Sequence, residues 1–156
     1  MQGDPYEAKI LTYIAAHGIR CEHLSFAQSC HSVAEAARAV QAAPEDFVKN
    51  ICLITAAGEL VVAIVKGEDR ASAVRVGKLL NIPTPRLAKP DEILALTGCP
   101  CGGTPSFGYP AAFLIDPRVF ERSLVYTGGG SETSLVRVAP DELLRANGGR
   151  VVEIRA

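Results

Sequence analysis

Residues 47–65 read FVKNICLITAAGELVVAIV. Both halves are rich in β-branched residues, and Ala56-Ala57-Gly58-Glu59 supplies a turn between them. The segment therefore predicts a β-hairpin with strands over 47–55 and 60–65. Leu60-Val61-Val62-Ala63-Ile64-Val65 shows no polar alternation, which predicts a strand covered on both faces. The first strand opens with two polar residues, Lys49 and Asn50. In strand periodicity Lys49 shares a face with Ile51 and Leu53. A lysine on such a face must reach water, pair, or meet an anionic ligand.

Outward from the hairpin, helices and strands interleave. Tyr6, Ile10, Tyr13 and Ile14 fall on one face of a helix over 5–17, which Gly18 stops. A short strand over 19–26 follows. Ser32 and Glu35 predict a capping box for a second helix, with Val33, Ala36, Ala37 and Val40 as its buried stripe and Pro44 ending it. Further helices are expected over 71–80, from Pro90-Asp91-Glu92 onward, and over 140–146. Further strands are expected over 111–115, 124–127, 135–138 and 151–154. About five helices and seven strands in this order imply one domain over residues 1–156, α/β of the α+β type. Its sheet should be mixed, mostly antiparallel and curved, with the helices packed on it.

The chain has 156 residues, enough to bury roughly 70% of its unfolded surface without disulfide or metal staples. Its 16 Lys and Arg against 17 Asp and Glu leave a net charge of −1. Gripping long nucleic acid, DNA included, by whole-surface charge is thereby excluded, whereas contact with one RNA end is not. No apolar run is long enough to span a membrane. The start, Met1-Gln2-Gly3-Asp4-Pro5, is polar and leads into no apolar stretch, so no secretory signal is expected. Five cysteines, an odd number, then favour reduced thiols and a cytoplasmic location. Cys99-Pro100-Cys101 has no second spaced pair to complete a zinc site, so packing or loop cysteines are the better reading, and no metal is expected. A thiol or metal protein centred on that pair stays open as a third possibility.

The oddest stretch is Gly98 to Pro110, with glycines and prolines too dense for a regular element. Gly102-Gly103-Thr104-Pro105-Ser106-Phe107-Gly108 lets the backbone approach a ligand and offers N–H groups to an oxyanion or phosphate. It lacks the Lys-Ser/Thr of a nucleoside-triphosphate loop. A second glycine turn, Thr127-Gly128-Gly129-Gly130, sets a hydroxyl beside glycines at a strand end. His31 adjoins Cys30, but neighbours in an extended chain point to opposite faces, so the pair makes a poor catalytic couple. Between residues 66 and 89, Lys66, Arg70, Arg75, Lys78, Arg86 and Lys89 outnumber Glu68 and Asp69, which marks a solvated face or a landing patch for phosphate.

Taken in order, these pieces resemble the YbaK-like proteins and the editing domain inserted in bacterial prolyl-tRNA synthetases. The resemblance is carried by His31-Ser32-Val33-Ala34-Glu35-Ala36-Ala37, Phe47-Val48-Lys49-Asn50-Ile51, Lys66-Gly67-Glu68-Asp69, Arg86-Leu87-Ala88 and Leu96-Thr97-Gly98. The Gly102–Gly108 loop and Val125-Tyr126-Thr127-Gly128-Gly129-Gly130 complete it. The resemblance implies a trans-editing hydrolase that deacylates misacylated tRNA, foremost tRNA for proline carrying a wrong small amino acid. Water would attack the ester, oriented by the substrate's terminal ribose hydroxyl. It implies Lys49, Gly102 and Gly103 as catalytic groups. His31, Ser32, Asn50, Thr104, Pro105, Ser106, Phe107, Thr127, Gly128 and Gly129 become substrate-binding groups. The family's Gly-x-x-x-Pro spacing is not kept, since four residues after Gly102 stands Ser106 and Pro105 comes one earlier. No cofactor is implied, and the partners would be the acceptor end of aminoacyl-tRNA and prolyl-tRNA synthetase. The alternative is a non-catalytic binder of a tRNA 3′ end or nucleotide.

Overall fold

The computed structural model describes residues 4–156. Met1, Gln2 and Gly3, read above as part of the polar start, lie outside the described residues. Among the described residues there are five α-helices: α1 (Pro5–His17), α2 (Val33–Val40), α3 (Ala73–Leu80), α4 (Pro90–Thr97) and α5 (Pro140–Asn147). Asp4 caps α1 through the N–H groups of Tyr6 and Glu7, and Gly18 ends it in the left-handed region. Ser32 and Ser72 cap α2 and α3 through their hydroxyls.

The described residues hold eight strands: β1 (Cys21–Ser25), β2 (Val48–Ile54), β3 (Leu60–Lys66), β4 (Arg86–Leu87), β5 (Ala112–Ile115), β6 (Val125–Gly128), β7 (Ser134–Val138) and β8 (Arg150–Val151). They form a five-stranded sheet, β4-β2-β3-β5-β8, and a three-stranded sheet, β1-β7-β6. The β3–β5 and β5–β8 pairs are parallel and the others antiparallel, so the architecture is mixed and largely antiparallel as expected. The strands divide between two sheets joined by a parallel bridge from Phe47 to Tyr126. Strand β4 has no counterpart among the sequence expectations, and the last strand, expected over 151–154, is Arg150–Val151.

Every residue of β3 is buried, and the reason lies in its alternation. Val62 and Ile64 face the main core with Ile10, Phe107, Phe113, Ile115 and Val136. Val61, Ala63 and Val65 face a second cluster with Leu53, Val76 and Ile154 beneath α3. A third cluster, Cys30, Ala36, Ala37, Phe47 and Leu135, seats α2 against the small sheet. Asp116, wholly buried, ties the C-terminal segment down by accepting from the N–H of Ile154 and from Arg155 Nε.

Candidate functional site

The site begins at a sheet edge. β4 pairs only with Leu53 and Ile54, so the outer edge of β2 is left without a strand neighbour over 48–51. A cleft of about 210 Å³ opens there. Its walls are Val48, Lys49, Asn50 and Ile51 from β2, His31, Ser32, Val33 and Ala36 from the start of α2, Cys101, Gly102 and Thr104 from the loop after α4, and Tyr126, Thr127 and Gly128 from β6. Lys49 and Gly102, 53 residues apart in sequence, thus share one cleft. Lys49 is half-buried and has no ion-pair partner among the described residues.

Gly102 adopts φ of +91°, a conformation that disfavours any side chain. A Cβ there would also overlap the His31 ring at Nδ1. His31 itself stands 4.0 Å from Glu132. The two glycine-rich turns lie back to back. Gly130 N–H donates to Gly103 C=O at 2.8 Å. A Cβ on Gly103 would meet the Ser131 backbone at 2.6 Å, and one on Gly128 would overlap the Thr104 carbonyl. Gly103 N–H donates to Pro100 C=O at 2.9 Å, whereas the N–H groups of Gly102 and Thr104 make no hydrogen bond among the described residues.

Beneath the cleft floor runs a closed ring of neutral hydrogen bonds. Asn50 Nδ2 donates to Thr104 C=O at 2.9 Å and to Thr127 Oγ1 at 3.0 Å. Ser106 Oγ donates to Asn50 Oδ1 at 2.6 Å and lies 2.7 Å from Thr127 Oγ1. Ser106 has one proton, already given to Asn50, so Thr127 is the donor between the two hydroxyls. The Thr127 proton is therefore committed inside the protein. Asn50, Ser106 and Thr127 hold both glycine turns against β2.

The other residues singled out from the sequence lie away from the wall. Phe107 is wholly buried in the main core and stacks on Tyr13 with ring centroids 5.9 Å apart. Pro105 is buried and its carbonyl accepts from Tyr109 Oη at 2.6 Å. Gly129 is buried, and its carbonyl accepts from His23 Nε2 at 2.9 Å. Tyr126, stacked on Phe47 at 4.9 Å, and Ile93 of α4 are among the cleft residues that sequence reasoning did not single out. Cys30 and Cys101 also line the cleft. Cys99 is buried in the core, where desolvation pushes its thiol up to about 11.

Ion pairing shrinks the basic stretch between 66 and 89. Lys66 is held by Glu121 at 2.9 Å and Glu68 at 3.0 Å. Arg86 makes a two-pronged pair with Glu92 at 2.8 and 2.7 Å, and that pair lowers the Glu92 carboxyl to about 2.

Against known proteins, the model of the aminoacyl-tRNA editing domain matches residues 27–146. The proline–tRNA ligase of Geobacillus thermodenitrificans is 32% identical over 77 residues, which is 49% of this chain and 13% of that enzyme. The chain therefore corresponds to a small part of such ligases. Among solved structures, one described as a candidate trans-editing enzyme for prolyl tRNA synthetase matches with a TM-score of 0.90 and 26% identity, covering 99% of both chains. The hypothetical protein APE2540 matches with a TM-score of 0.87 and 30% identity, covering 95% of this chain and 99% of its own.

Proposed function

This chain belongs to the aminoacyl-tRNA editing domain family, and we propose that it hydrolyses the ester of misacylated tRNA in trans, foremost tRNA for proline carrying a wrong small amino acid. The observation that carries this reading is the cleft that Lys49 shares with the Gly102 bend. An aminoacyl ester is already an activated acyl group. Donors aimed at its carbonyl oxygen suffice to lower the barrier as negative charge develops there. The uncommitted N–H groups of Gly102 and Thr104 are suited to that task. Lys49 would hold a terminal phosphate or polarise the ester through charge-assisted hydrogen bonds.

Water is the attacking group in this reading. The two hydroxyls nearest the floor, Ser106 and Thr127, are bound to each other and to Asn50, and among the described residues no base bonds to them. The ribose hydroxyl of the substrate orients the water. The cleft, about 210 Å³, lies below the roughly 300–1,000 Å³ of sites for drug-sized ligands, which favours a small acyl group. Cytoplasmic action and docking on prolyl-tRNA synthetase belong to the same proposal.

The test is a panel of proline tRNAs charged with alanine, cysteine, serine or proline, scored for release of the amino acid. At least one mischarged species should be released at least about a hundredfold faster than without protein, and Lys49→Ala should abolish most of that gain. Tight binding of charged and uncharged tRNA alike, with no release, would make the chain a binder of RNA ends.

A further inference from the structure

The register of β2 sets which main-chain groups face the cleft. Gly67 N–H donates to Phe47 C=O, and Thr55 N–H to Glu59 C=O, so odd-numbered residues of β2 turn their main-chain groups toward β3. Even-numbered residues turn theirs to the outer edge. There Ala88 N–H donates to Cys52 C=O at 2.9 Å, and the Phe47–Tyr126 bridge closes the edge at its other end. Between these closures lies Asn50. By this register its N–H and C=O both face outward, Asn50 lines the cleft, and among the described residues no strand ladder pairs β2 at this position on its outer side. The carbonyl has only the weak Cys52 thiol at 3.8 Å. The Asn50 side chain, locked to Thr104, Ser106 and Thr127, fixes this peptide in place.

A donor and an acceptor side by side on a strand edge select a ligand that offers an acceptor and a donor in matching order. We propose that the main chain of Asn50 reads the base of the substrate's 3′-terminal adenosine: its N–H donates to N1 and its C=O accepts from the N6 amine. This rests on the editing function proposed above and adds a base-reading element to it. Cytosine offers the same order through N3 and N4. Guanine and uracil present the reverse order, which would set donor against donor and acceptor against acceptor. Because the contact is main-chain, no side-chain motif announces it in the sequence.

The decisive comparison changes the ligand and leaves the protein intact. The mischarged tRNA most active in the panel is prepared with 3′-terminal adenosine, purine riboside, which lacks the N6 amine, or inosine, which carries an N1 proton and an O6 acceptor. The proposal predicts kcat/KM falling in the order adenosine, purine riboside, inosine, with inosine at least about tenfold below adenosine. Equal rates on adenosine and inosine ends would overturn base reading while leaving the editing function standing. No release from the adenosine end would overturn the editing function itself, and this inference with it.

Discussion

Two lysines stand one register step apart on neighbouring strands and meet opposite fates. Lys66 on β3 pairs across the ladder with Val48, and Lys49 on β2 pairs with Val65. Lys66 is 5% exposed and clamped by Glu68 and Glu121, with Arg118, Asp69 and Glu121 extending the network. Lys49 is half-buried in a cleft whose polar framework is neutral and in which no carboxylate among the described residues pairs with it. At one of these two positions, both at the open end of the hairpin, charge is cancelled by charge, which holds loops together. At the other, a cation is left for a ligand to meet, which contributes little to folding and much to binding an anion.

The contrast can be broken most forcefully at the cleft. Lys49→Ala should lower deacylation about 10²-fold or more while leaving the thermal midpoint within about 2 °C of the parent, read by single-turnover release and calorimetry. Gly102→Ala comes next. It should lower the rate about 10²-fold, and the His31→Ala/Gly102→Ala double variant should recover only part, because the positive φ still costs roughly 1–2 kcal/mol once the ring is gone. Lys66→Ala should reverse the Lys49 pattern, losing about 2–3 kcal/mol of stability with the cleft chemistry retained. That lies below the ~3–5 kcal/mol of a fully buried pair, because Glu68 and Glu121 keep contact with water. Asn50→Ala should cost about 1–3 kcal/mol by stranding the buried Ser106 and Thr127 hydroxyls, measured by urea denaturation.

The smallest effect lies far from both lysines. Arg145 and the Arg20 N–H lower the Glu142 carboxyl from its ordinary 4.5 to about 2. A depressed carboxylate stabilises the fold above its unfolded pKa, and the benefit disappears as pH falls from about 4.5 toward 2. Glu142→Gln should therefore be less stable than the parent at pH 7, with the gap closing toward pH 2.

What could be read from the sequence were the periodic and punctuated segments. All five helices have their stops where Gly18, Gly98 and Gly148 or a left-handed Gln41 and Asn81 allow them. The hairpin and the doubly covered β3 carry their signal in consecutive β-branched residues. β4 carries none, since two residues between prolines reveal no alternation, and its pairing with Leu53 and Ile54 is set by the tertiary fold. The site was legible as residue types and not as roles. Nothing local says that Phe107 turns inward, that Ser106 bonds Asn50 from 56 positions away, or that His31 lies over Gly102. Those are consequences of two glycine turns packing back to back.

The most direct test of the shared cleft uses an amide-linked aminoacyl adenosine, which the protein cannot turn over as an ester. Titrated into isotope-labelled protein, it should shift the amide resonances of Lys49, Asn50, Gly102 and Thr104 together, with one saturation curve. Resonances that move elsewhere while these four stay still would contradict the account.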